Sequence, residues 1–165
     1  MRFSGFALAL SALVFGACAG GDNAATTDTA ATAAPATDAA APAPAGDVAA
    51  APITGTTHTV RAVMENGAYR FIPDTITIAA GDGIKYVMES GMPHNVAFLN
   101  VPANVSGQLN ANIPAAERLG DLATRIYTNV GEEVTISFGN IPAGTYDYTC
   151  TPHQAMGMNG KVTVR

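Results

Sequence analysis

The sequence predicts an all-β domain, an antiparallel sandwich or barrel, in residues 58–165. Three observations carry that expectation. Short runs of alternating apolar and polar residues recur along this stretch, with the period of two that a half-buried strand requires. Gly, Pro, Asn and Asp punctuate the runs at close intervals, as turns between short strands do. The stretch is also about 108 residues long, an ordinary single-domain size.

The preceding residues read differently. "MRFSGFALALSALVFGACAGGD" places Arg2 before an apolar run from Phe6 to Phe15, followed by small residues. This is the organisation of a secretory signal, and the run is too short for an ordinary membrane span. "VFGAC" resembles the lipobox of bacterial lipoproteins. That resemblance implies a signal peptide over 1–17 and a lipidated Cys18 as mature N-terminus, with Phe15 where the motif usually has Leu. Ordinary cleavage after Ala19, using "ACA", is the competing route and gives a secreted protein.

Residues 18–57 are almost wholly Ala, Thr, Pro, Asp and Gly, with acids at Asp22, Asp28, Asp38 and Asp47 and no base. Such a segment has too little to bury to offset the entropy of ordering, and its prolines interrupt any Ala-driven helix. It is expected to be a disordered linker. As a flexible coil, ~40 residues span roughly 35 Å, which suits a domain tethered to a membrane through an N-terminal lipid.

In the domain itself the expected strands are "HTVRAVM" (58–64), "TITIAAGD" (75–82), "GIKYVMES" (83–90), "HNVAFLN" (94–100), "EEVTISF" (132–138), "GTYDYTC" (144–150) and "GKVTVR" (160–165). Tyr69, Phe71, Phe98 and Phe138 are candidates for the core. Met64, Met88 and Met92 are expected as core or loop filler. Residues 101–131 break the rhythm. "PAAERLGDL" is expected to form two helical turns from Pro114, a residue tolerated early in a helix. The rest of this insertion is expected to be loop covering a sandwich edge.

Composition excludes some functions. The formal net charge is −5, and nucleic-acid binding wants clusters of Lys and Arg. With Cys18 at the signal boundary, Cys150 stands alone in the domain, so no disulfide forms within it. An unpaired cysteine in an exported chain pairs between molecules, reacts, lies inert, or binds metal. Its neighbours favour metal. In "CTPHQAMGMNGKVTV" (150–164), His153 follows three residues on and Met158 closes the loop. Thiolate and thioether are soft donors and imidazole is borderline, a set that favours copper. One more histidine is needed. The chain has only His58 and His94 to offer. His94 opens an apolar strand after a Gly/Pro turn, whereas His58 sits at the linker junction and is expected to be solvated and idle.

"GMPHNVAF" followed by "YDYTCTPHQAMGMNGKVTV" is similar to plastocyanin and its cupredoxin relatives, over essentially all of 58–165. The resemblance implies a cupredoxin-type Greek-key β-sandwich with one short helix in a loop, binding one type 1 copper ion. It implies His94, Cys150 and His153 as the trigonal ligands and Met158 as the axial one. Asn95 matches the residue that pins the ligand loop near Thr151, and Pro152 restricts that loop. Gly157 is expected to give the loop its tight turn. Met156 is expected on the surface near an exposed edge of His153, where a redox protein donor and acceptor would dock. Thr149 stands where plant plastocyanins carry a surface Tyr before the Cys, which argues against a second electron route there. The implied protein is a monomeric single-copper electron carrier, not an enzyme. Copper enzymes with similar domains need more histidines than the three present. A copper-delivery protein without a redox circuit is the alternative. The expected location is periplasmic or at the cell surface.

Overall fold

The computed structural model describes residues 48–165. The signal segment, Cys18 and the linker as far as residue 47 lie outside the described residues. The domain is a sandwich of two four-stranded sheets. One sheet is ordered β2 (Ala68–Ile72), β1 (Thr57–Glu65), β4 (Gly83–Met88), β6 (Glu133–Ser137). The other is ordered β3 (Thr75–Ile78), β8 (Asn159–Val164), β7 (Gly144–Thr149), β5 (Ala97–Leu99). The chain changes sheet between β2 and β3, β3 and β4, β4 and β5, β5 and β6, and β6 and β7.

Alternation explains the packing. In β4, Ile84, Tyr86 and Met88 point inward while Lys85 and Val87 lie between them on the outer side. In β8, Val162 and Val164 face the same core, and in β7 Tyr146 and Tyr148 do, with Asp147 outside. Phe71, Tyr86, Phe98 and Tyr148 meet edge-on or tilted, with ring centroids 4.8–6.3 Å apart, the arrangement aromatic quadrupoles prefer. Each fully buried large apolar side chain contributes about 1.5–3 kcal/mol.

Several expectations are corrected. The sheets are mixed rather than purely antiparallel: β1 runs parallel to β4 and β3 parallel to β8. Alternation reports which face a residue takes, and it is silent on strand direction. An eighth strand, β2, pairs with β1 and carries Tyr69 and Phe71. Phe71, Phe98 and Phe138 are core, whereas Tyr69 is half-buried and packs against the edge of that core, next to the site described below.

The helix lies earlier than "PAAERLGDL". α1 spans Ala103–Asn112, and the Pro114 region holds one 3-10 turn, Ala115–Glu117. Beyond it Arg118 is extended, and Gly120 and Leu122 take positive φ. α1 is held by burial of Val105, Leu109 and Asn112 on one face. Asn112 donates to the Ser137 and Gly139 carbonyls and accepts from Ala51 N–H and Gln108.

The contact with Ala51 corrects the linker boundary. Residues 48–56 fall within the expected linker, yet Ala51 is buried and the N–H groups of Thr54 and Gly55 donate to the Gly81 carbonyl. His58 is not idle either. Its Nε2 lies 2.8 Å from the buried Asp82 carboxylate, which also accepts from Thr56 and Ala79 N–H.

Candidate metal centre

The site forms at one end of the sandwich, where β7 runs into the loop before β8. Cys150 follows the last residue of β7, and the chain turns at once into a 3-10 helix, Thr151–Met156. Pro152 sits in its first turn, where a missing N–H is harmless. The helix ends at Gly157 with φ of 82°, a left-handed conformation that a glycine adopts without steric cost. This reversal brings Met158 back beside Cys150. The Met158 carbonyl accepts from Cys150 N–H at 3.0 Å and from the Thr149 hydroxyl at 2.9 Å. Met158 is wholly buried, while Met156 is 61% exposed. Burial thus separates the two methionines of the loop.

His94 reaches the site from the segment before β5. It is wholly buried, and its Nε2–H donates to the Ser90 carbonyl at 2.7 Å. That bond assigns the neutral tautomer and leaves the Nδ1 lone pair facing Cys150. The His94, Cys150 and His153 donor atoms lie within 4.8 Å of one another. Cys150 Sγ is 3.5 Å from each Nδ1. A first-row metal bound ~2.0–2.3 Å from nitrogen and sulfur donors sets them about 3.6–3.8 Å apart at tetrahedral to trigonal angles. The spacing and the His₂Cys chemistry thus fit a single copper of type 1.

Electrostatics suit the same occupant. Burial lowers both imidazoles below the ordinary histidine range, and for His153 the neighbouring His94 adds to the effect. The shift favours the neutral form of each, whose ring nitrogen carries a lone pair for a metal. Burial pushes the Cys150 thiol up, opposed by the Asn95 and His153 N–H groups. Metal binding must therefore displace the thiol proton, and it weakens at low pH.

Asn95 does what the resemblance implies. Its Oδ1 accepts from Thr151 N–H at 2.7 Å and its Nδ2 donates to Thr151 Oγ1 at 3.2 Å. The ligand loop is thereby tied to the residue next to His94.

One expectation fails. His153 is nearly buried rather than openly exposed, with 5% of its surface accessible. The Tyr69 ring stacks on it with centroids 3.6 Å apart and planes 15° from parallel. Strand β2 went unread in the sequence, so nothing there placed Tyr69 at the site. His58, bonded to Asp82, takes no part in the donor cluster.

The family model for copper binding proteins of the plastocyanin/azurin family matches residues 58–165. The chain is 34% identical over 108 residues to plastocyanin of Scenedesmus fuscus, covering 65% of this chain and 98% of that protein. It is 36% identical over 107 residues to the chloroplastic plastocyanin of Physcomitrium patens, covering 64% of this chain and 56% of that one. Among solved structures, a mutant fern plastocyanin in oxidized and reduced forms superposes with a TM-score of 0.48, at 28% identity over 65% of this chain and 99% of that one.

Proposed function

The chain belongs to the plastocyanin/azurin family of copper-binding proteins, and from that premise we propose an exported single-copper electron carrier, with His94, Cys150, His153 and Met158 as the copper ligands. The observation that carries the reading is the convergence of three buried donors, Nδ1, Sγ and Nδ1, in one place. Copper bound there supplies exchange of one electron between Cu(I) and Cu(II). The protein's own residues hold the donors fixed. Ser90 orients His94, Tyr69 packs on His153, and Asn95 ties down the loop between Cys150 and Met158. A site held in one arrangement by packing and hydrogen bonds needs little rearrangement as its charge changes.

Burial supports a carrier rather than an enzyme. The three clustered donors leave no exposed face to a substrate, and the fourth proposed ligand is buried too: His94, Cys150 and Met158 are fully buried and His153 nearly so. Partners are redox proteins, and the half-buried Tyr69 beside the exposed Met156 marks the surface nearest to His153. The signal and the lipobox-like "VFGAC" support export and anchoring through Cys18, in the periplasm or at the cell surface. Cys18→Ser would then release the protein from membranes; retention of that variant contradicts the anchor.

Voltammetry of the copper-loaded chain tests the redox role. A reversible one-electron wave is expected. Copper binding without such a wave, and with weak retention of Cu(II), would support copper delivery instead.

A further inference from the structure

Residues 117–132 run from the 3-10 turn to the start of β6, and within them Tyr127 bonds directly to the main chain of His94, a residue of the metal site. Tyr127 exchanges both main-chain bonds with His94: His94 N–H donates to the Tyr127 carbonyl at 3.0 Å, and Tyr127 N–H to the His94 carbonyl at 2.7 Å. Thr124 continues the pairing. Its N–H donates to the Val96 carbonyl at 2.9 Å and its Oγ1 accepts from Val96 N–H at 3.0 Å. The main-chain bonds from 122–132 to the sandwich fall on Met88, His94, Val96 and Phe98.

The far side of this segment is locked by a polar network. The wholly buried Tyr127 donates its hydroxyl proton to Glu117 Oε2 at 2.8 Å. Arg125 Nε donates to the same oxygen at 2.8 Å, and Arg125 Nη1 to Glu132 Oε1 at 3.1 Å. The Arg125 guanidinium also lies 4.2 Å over the Tyr127 ring, a cation–π contact. Glu132 Oε2 accepts from the Thr128 and Asn129 N–H groups, and the Glu132 carbonyl accepts from Met88 N–H of β4. Exposed ion pairs alone contribute little to stability. A network ending on a buried tyrosine whose main chain grips His94 can instead fix a ligand's orientation.

We propose that residues 117–132 form a brace that sets the orientation of His94, with Tyr127 as the positioning residue and Glu117 and Arg125 as its anchors. With Ser90 holding Nε2, the brace leaves His94 one free polar atom, Nδ1, and one direction in which to present it. The inference rests on the copper reading of the site.

The test compares the full chain with Tyr127→Phe, which removes the buried hydroxyl–carboxylate bond, and Glu117→Gln, which removes the carboxylate charge that Tyr127 and Arg125 share, neither removing bulk. Partners that orient metal ligands typically change affinity by 10–100-fold. Competition with a chromophoric copper chelator should show about tenfold weaker binding in both variants. The visible bands of the copper-loaded variants should shift in relative intensity, and the gap between copper-loaded and metal-free melting temperatures should narrow. A merely structural role would lower both melting temperatures equally; that result, with unchanged copper affinity, overturns the brace. A metal-free measurement separates it from the copper reading. The His94 and Tyr127 amide protons should exchange faster in Tyr127→Phe, because local opening of their bridge costs less. Unchanged protection of those amides overturns the brace whether or not copper binds. Failure of the parent chain to take up copper would sink the copper reading alone.

Discussion

Asn95→Ala removes the tie between the two halves of the metal site. Asn95 is 3% exposed, and its Oδ1 is 2.7 Å from Thr151 N. The Thr151 hydroxyl, on an exposed residue, can turn to solvent once Asn95 Nδ2 is gone. The Thr151 N–H is fixed in the main chain, and losing its part-buried acceptor costs about 1–3 kcal/mol. The Asn95 Nδ2 contact with the Thr124 carbonyl is 3.5 Å long and contributes little. The void left by the truncated side chain adds about 1 kcal/mol. The sum, about 2–4 kcal/mol, is a large part of the 5–15 kcal/mol that holds a domain folded. At roughly 4 °C per kcal/mol for a domain of this size, metal-free Asn95→Ala should melt about 10 °C below the parent. Copper affinity should also fall, by about 10–100-fold. Scanning calorimetry of the metal-free and copper-loaded forms measures both. A metal-free variant melting within about 3 °C of the parent would refute the claim that this hydrogen bond holds the loop.

Met158→Leu should keep the blue copper and raise the reduction potential, because a thioether donor is lost while volume is nearly conserved; loss of copper altogether would show that Met158 does more than tune it. Acid should loosen the N-terminal arm through Asp82. The His58 side chain beside it, followed by the Ala79 and Thr56 N–H groups, holds its carboxyl below the ordinary range. Stability from a depressed carboxyl is present above the unfolded value near ~3.9 and is lost as pH falls through the lower folded value. Asp82→Asn should flatten that part of the metal-free stability–pH curve, measured by urea denaturation between neutral pH and pH 3; an unchanged acid limb would remove Asp82 from the account.

Much of the site could be read directly from the chain because its chemistry is compressed. Cys150, His153 and Met158 occupy nine consecutive positions, and His94 comes with Asn95 in a Pro-His-Asn turn. The strands were readable wherever side chains alternate, but pairing direction is a property of connections, and the parallel pairs β1–β4 and β3–β8 left no mark. Helix α1 was hidden by Asn, Ser and Gly, weak helix formers, and is held by burial of Leu109 and by Asn112. The arm at 48–56 looked like linker because it docks largely through main-chain groups, which composition does not report. His58 and Asp82, like Tyr69 and His153, are brought together by the fold from distant positions. The brace on His94 likewise depends on Tyr127 meeting a segment 33 residues earlier (127 − 94).

The central claim is that Cys150 is a thiolate ligand of one copper, together with His94, His153 and Met158. The most direct measurement is the visible absorption spectrum of the copper-loaded chain beside that of Cys150→Ser. The account predicts an intense blue band in the parent that vanishes on reduction, returns on reoxidation, and is missing in Cys150→Ser. A colourless parent that loads zinc but no Cu(II), or a blue band that survives in Cys150→Ser, would contradict it.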